Sequence, residues 1–156
     1  MLCLDIPNRD RLDIAHLILD FNGTIATDGQ LIPGVSTRIE ALSSQVTVHV
    51  ITADTNATAR AQLQGAPCTL KIIGADRQDQ AKLEYAQSLG LQRVLAIGNG
   101  SNDLLLLQQA AVGICLIQRE GAAFPSLQAA DLVCIDINDA LDLLLHPHRL
   151  TATLRN

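Results

Sequence analysis

The chain has 156 residues, 48% of them hydrophobic and 17% charged, with a formal net charge of −5. That balance excludes a disordered chain and predicts one folded domain over 1–156, with a core over about 15–145 and a tail over 146–156. With a pI of 5.1, general binding to nucleic acid or to an anionic membrane is not expected.

The first strand-length apolar run covers 15–20 and ends on an acid, Asp20. Asp28-Gly29 then reads as a hairpin turn and Pro33-Gly34 as the mouth of a helix. Val35, Ile39 and Leu42 recur at helical spacing, and a second strand is predicted at 47–51. Asp54-Thr55 reads as a helix N-cap, and a third run follows at 69–73. Ala81, Tyr85 and Leu89 form a helical stripe that Gly90 closes as a C-cap. Further runs lie at 94–97, 112–117 and 132–135, before a last stripe of Ala140, Leu141, Leu144 and Leu145. Several runs are continuous rather than alternating, as strands covered on both faces should be. Strand–helix alternation of this kind predicts an α/β fold with a doubly wound, mostly parallel sheet and helices on both faces. Aromatic residues make up only 2%, so Leu, Ile, Val and Ala must fill the core.

The longest apolar run, 110–117, is far too short to cross a bilayer. No cationic segment with a cleavage site opens the sequence, so a secretory signal is not expected. Cys3, Cys68, Cys115 and Cys134 are scattered and form no CxxC pair. Buried free thiols and a reducing cytoplasm are the expectation. His49 reads as a packed or edge histidine. His146, His148 and Arg149 read as a docked tail or subunit contact rather than a metal site.

Ligands of doubly wound sheets lie beyond the carboxyl ends of the strands. The residues there are Asp20-Phe21-Asn22-Gly23-Thr24, then Thr52-Ala53-Asp54, then "GNGSND" from Gly98 to Asp103. Lys82 stands near the start of the helix before the fourth strand. Two carboxylates, a hydroxyl and an ammonium on one rim could hold a phosphoryl group over a nucleophile beside a metal ion. Each also has an ordinary reading. Asp20 could simply end a strand, Thr52 could cap, and Asn99-Gly100 could turn. Lys82 could pair with Asp79 or Glu84 on its own helix.

"DFNGT", "ITAD", Lys82 and "IGNGSND", in this order, resemble the four motifs of the haloacid dehalogenase-like (HAD) superfamily. Within it they look most like the phosphorylation domain of P-type ATPases, above all the soluble, stand-alone P-type ATPase-like proteins. The resemblance runs from about residue 15 to 155. It implies a Rossmann-like core and a Mg²⁺-dependent phosphohydrolase or phosphotransferase. Asp20 would accept the phosphoryl group as an aspartyl phosphate. Its second oxygen, the carbonyl of Asn22 and the side chain of Asn99 would bind Mg²⁺, with Asp103 a further acid around the ion. Thr52, the amide of Ala53 and Asn102 would hold phosphoryl oxygens, and Lys82 would neutralise charge.

Two positions depart from the pattern. Asn22 replaces the acid that would protonate the leaving group, a loss of about 10²–10⁴ in rate. Asn99 replaces an acid that would bind the metal directly, weakening that site. Slow turnover is expected. Both positions read Asn-Gly, the pair most prone to deamidation, which would restore an acid at each. No segment is long enough for a cap or nucleotide-binding insertion, so the protein is not an ATPase pump. The open site would take a phosphorylated small molecule or a protein-bound phosphate, with a homo-oligomer as the candidate to complete it. The alternative is a catalytically weak or inactive module that senses phosphate or metal or binds a protein.

Overall fold

In chain order the elements are a strand pair, β1 (Leu2–Leu4) and β2 (Leu12–Ile14), then β3 (His16–Asp20) and a small hairpin, β4 (Ala26–Thr27) with β5 (Gln30–Leu31). Next come α1 (Val35–Leu42), β6 (Thr47–Thr52), α2 (Thr58–Gln62), β7 (Thr69–Ile72), α3 (Gln78–Leu89) and β8 (Val94–Gly98). The chain closes with α4 (Leu104–Gln109), β9 (Val112–Leu116), α5 (Phe124–Ala129), β10 (Leu132–Cys134), α6 (Ile137–Leu145) and α7 (Pro147–Leu154). This computed structural model describes residues 1–7, 10–53 and 57–155. The predicted N-cap Asp54-Thr55 lies outside the described residues.

Six strands form one parallel sheet in the order β10-β9-β8-β3-β6-β7. The α/β class, the parallel sheet and all six predicted strands are present. Successive side chains along a strand alternate between faces. Leu17 and Leu19 of β3 and Leu95 and Ile97 of β8 enter the layer under α1, α6 and α7. Ile18, Val94 and Ala96 enter the layer under α3 and α4. Both faces are therefore buried, which is why these runs read as continuous rather than alternating.

The Asp28-Gly29 turn forms as expected, with φ of 51° and 75° at its two residues, the left-handed pair that a tight hairpin requires. Gly34 opens α1 at φ 91°, a conformation that suits glycine. Gly90 closes α3 as the C-cap. Arg38 on α1 forks onto Asp142 on α6 at 2.8 and 2.9 Å, joining the two helices across their exposed rims.

Three details differ from expectation. The terminal "HPHRLTATL" stretch is a helix, α7, which buries Leu150 and Leu154 against the β1–β2 layer. Burial of the thiols holds only for Cys115. Cys68 and Cys134 are half-buried and Cys3 is exposed, and all four are free. Ile117 and Ile135, predicted within strands, lie just past β9 and β10 and are 43% and 76% exposed, because the sheet ends there and the rim is open. No helix among the described residues is long and apolar enough to cross a membrane.

Candidate active site

From β3 the chain crosses to β6 and β7, then returns to β8 on the other flank of β3. Where strand order reverses in this way, the loops leaving adjacent strands diverge and open a crevice at the carboxyl ends. Register decides which residues share it. Asp20 is paired with Ile51, and Leu19 with Ile97. Asp20, Thr52 and Asn99 therefore leave the sheet at nearly one level.

Asp20 follows Ile18 by two, so its carboxylate leans to the α3 side. There Lys82 donates to Asp20 Oδ1 at 2.7 Å and to Asp103 Oδ1 at 2.6 Å. A longer bond of 3.4 Å to Asn102 Oδ1 completes the three donors of the ammonium. Lys82 is 1% exposed and Asp103 0%, so the ordinary reading of a solvated lysine paired along its own helix does not hold. Two carboxylates against one ammonium leave the buried cluster with one negative charge. Burial first, and Asp103 second, push the Asp20 carboxyl up to about 7 against the pull of Lys82. Burial alone would lower the Lys82 pKa, but the charges of Asp20 and Asp103 outweigh it and hold it above its usual value.

Asp103 is heavily engaged. Its Oδ2 accepts from the backbone amides of Asn99 and Gly100 at 3.0 Å each, while Oδ1 takes Lys82 at 2.6 Å. It thus braces the loop that carries Asn99. Asn102 is similarly engaged, its Nδ2 donating to Gln78 at 2.7 Å. Ser126 ties the same loop down through the Gly100 carbonyl at 2.7 Å.

Asn99 turns its amide nitrogen away from the site, onto the Gly121 carbonyl at 3.0 Å. Its Oδ1 thereby faces inward. The buried Thr24 hydroxyl lies 3.3 Å from both Asn99 Oδ1 and Asp20 Oδ2, so these two oxygens converge on one spot. The loop after Asp20 is tightly wound, the amides of Thr24, Ile25 and Ala26 meeting the Phe21 carbonyl at 3.0–3.2 Å. Gln118 pins it from outside, donating to the carbonyls of Gly23 and Thr24 at 3.2 and 2.9 Å and accepting from Ile137 N at 2.8 Å. Exposed Asn22, buried Thr52 and half-buried Ala53 stand at the rim beside this cluster.

An oxygen-only donor set of one carboxylate, one inward amide and a neighbouring loop carbonyl suits a hard cation such as Mg²⁺. Among the described residues no three His, Cys, Asp or Glu side chains gather as a metal cluster. An ion here would lean on neutral oxygens. Outside the cluster, an open cavity of about 760 Å³ lies beyond Gln118, lined by Leu31, Pro33, Arg119 and Ile135 among others.

Sequence reasoning placed Thr24 on the rim without a role, and missed Gln118, Gln78 and the Gly121 carbonyl. Gln118 could have been found, because it lies just past the carboxyl end of β9, on the same rim where Asp20 ends β3. The contact of Gly121 is made by its backbone and leaves no signature in its side chain.

Comparison with known proteins places the fold. Over 90% of its length the chain matches the 3-deoxy-D-manno-octulosonate 8-phosphate phosphatase of Moraxella catarrhalis, solved with magnesium, phosphate and KDO, at a TM-score of 0.72, 17% identity and 92% coverage of that chain. The cobalt-bound phosphatase of the same name from Haemophilus influenzae matches at 0.72 and 15% identity, covering 90% of this chain and 92% of that one. That from Yersinia pestis matches at 0.67 and 19% identity, covering 90% and 84%. The fold is that of the haloacid dehalogenase-like superfamily. These neighbours carry the superfamily resemblance and not the narrower one to P-type ATPases, which rests on the motifs alone.

No family model matches. The uncharacterized protein MJ0073 of Methanocaldococcus jannaschii is 49% identical over 80 residues, 49% of this chain and 86% of that protein. The chain belongs to one family with it. MJ0072 of the same organism is 42% identical over 40 residues, 26% of this chain and 91% of that protein.

Proposed function

We propose that the chain is a divalent-cation-dependent phosphohydrolase or phosphotransferase that works through an aspartyl phosphate on Asp20 and turns over slowly. The observation that carries this reading is the buried Asp20–Lys82–Asp103 cluster at the reversal of strand order. Phosphatases that share the fold, one holding magnesium and phosphate and another cobalt, support it.

In this reading an Asp20 oxygen attacks phosphorus and the bond to the leaving oxygen breaks. Water then attacks the acyl phosphate, releasing inorganic phosphate and restoring the carboxylate. Lys82 holds its charge against both the carboxylate and the incoming phosphoryl group. Thr52, the amide of Ala53 and the Asn102 side chain are assigned to the phosphoryl oxygens. Asp20 Oδ2, Asn99 Oδ1 and the Asn22 carbonyl would hold Mg²⁺, while Asp103 fixes the loop bearing Asn99. A bound Mg²⁺ would supply positive charge between two anions that otherwise repel. Asn22 cannot give or take a proton at neutral pH, so the leaving oxygen and the attacking water rely on solvent. That slows both steps by about 10²–10⁴-fold.

The rim is open: only the hairpin and α1 separate β3 from β6 among the described residues. A phosphorylated small molecule or a protein-bound phosphate fits such a site, with a second copy of the chain as a candidate lid. Four free thiols suit the reducing cytoplasm assigned to it. A silent phosphate- or metal-sensing module is favoured by one observation, the shortage of acids at the cation seat.

One experiment separates the readings. The chain is incubated with Mg²⁺ and acetyl phosphate or p-nitrophenyl phosphate. Acid-stable, hydroxylamine-labile phosphate on the wild type, absent from Asp20→Asn, is the expected result. No phosphate incorporated or released would leave the silent module.

A further inference from the structure

We infer that Asn99 is a dedicated neutral oxygen donor, and that the loop holding it excludes an acid at this position. The assignment of its oxygen to a cation rests on the function proposed above. The exclusion of an acid rests on hydrogen bonding and charge within the loop.

Asn99 is 8% exposed and is gripped by the segment that follows β9. Gly121 accepts from its Nδ2 at 3.0 Å, and the Ala123 amide donates to its backbone carbonyl at 2.8 Å. Gly23 closes the third side, so near that any Cβ there would collide with the Asn99 side chain. The amide thus has one orientation, nitrogen outward to a carbonyl and oxygen inward toward Asp20 and Thr24.

An aspartate in this mould would set its outer oxygen against the Gly121 carbonyl oxygen. Two acceptors would then meet with no proton between them, in a contact that is part-buried. It would also bring a third carboxylate to Asp20 and Asp103, with Lys82 the one cation of the cluster. Position 99 is therefore built for an amide, not left with one after the loss of an acid. Deamidation at Asn99-Gly100 would damage the site, not restore it.

The test compares thermal melting of the metal-free wild type, Asn99→Asp and Asn99→Ala at pH 8. Asn99→Asp should melt about 5 °C or more below wild type. The Asn99→Ala deficit should be smaller, because alanine removes a donor without setting two acceptors against each other. An Asn99→Asp chain that melts with or above wild type would overturn the inference. So would one that melts with or above Asn99→Ala.

Should Asn99→Asp fail to fold, hydrogen exchange of the Asn99 side-chain amide in the wild type decides. Exchange more than about tenfold slower than that of a free amide upholds the inference. Exchange at the free rate sinks it. None of these measurements uses phosphoryl transfer, so failure of the proposed function and failure of this inference are read separately.

Discussion

Lys82 and Asp103 meet at 2.6 Å with 1% and 0% of their side chains exposed. A charge pair so deeply buried is balanced only while both partners are present. Lys82→Met would leave the buried Asp103 carboxylate with no cation beside it and push the Asp20 carboxyl, already up to about 7, further toward its neutral form. The expected loss is about 3–5 kcal/mol of unfolding free energy at neutral pH, measured by urea titration. Asp103→Asn in the Lys82→Met background should recover part of it, because the orphaned charge is gone. A Lys82→Met chain within about 1 kcal/mol of wild type would mean that the cluster is hydrated and not sealed.

A chain of side chains centred on buried His49 runs along the α3 face below the site: His16 Nδ1 to His49 Nε2 at 3.1 Å, and His49 Nδ1 to the Tyr85 hydroxyl at 2.9 Å. Burial first, and His16 second, push the His49 imidazole down to about 4. Burial and the charge of Arg93 lower His16 as well. The unfolded imidazole takes up a proton near its ordinary 6.5, which the native one refuses until about 4. Stability from this group is therefore full above pH 6.5 and drains as the pH falls toward 4. The loss should reach about 2 kcal/mol. His49→Gln should flatten the slope between pH 6.5 and 4, read from urea midpoints at each pH. An unchanged slope would assign the acid sensitivity to other groups.

Much of this was legible because strands buried on both faces write themselves as unbroken apolar runs, and because the chain must place polar residues where those runs end. Asp20, Thr52 and Asn99 could be found by that rule alone. Lys82 could be placed near the site only through the motif order, since a lysine in the first turns of a helix is usually solvated. The α7 helix was hidden by Pro147 and by His146 and His148 on either side of it, which read as a tail. Pro147 in fact starts the helix, where its missing N–H costs nothing. The β1–β2 pair was missed because each strand has only three residues, too few for a period to show. Contacts made by backbone atoms, such as the Gly121 carbonyl on Asn99, have no letter in the sequence.

Gln118 ties the loop after Asp20 to the start of α6, and all three of its bonds go to backbone atoms. Gln118→Ala removes a donor from two carbonyls and an acceptor from one amide. Stability should fall by about 1–3 kcal/mol. Gln118→Glu should fall further, since it sets a carboxylate against the Gly23 and Thr24 carbonyls. Its deficit should shrink on acidification, which the alanine variant should not show. Chemical denaturation at pH 5 and pH 8 checks both variants. Equal losses for Ala and Glu at both pH values would mean that the side chain only fills space.

Asn22 and Asn99 both stand where the superfamily pattern has an acid, yet their surroundings predict opposite outcomes for restoring it. Asn99 is locked between loops. Asn22 is exposed at the mouth of the site and is held through its backbone bridge to Ala26, so its side chain can change without disturbing the fold. Under the proposed mechanism, an acid at 22 supplies the proton donor and base that solvent otherwise must replace. Asn22→Asp should shorten the lifetime of the Asp20 phosphoenzyme by about 10²-fold or more, with a melting temperature within a few degrees of wild type. Quench-flow with labelled acetyl phosphate measures that lifetime. If Asn22→Asp shortened it while Asn99→Asp lowered the melting temperature, the two asparagines would have different histories. One would be a brake on turnover, and the other would be part of the frame.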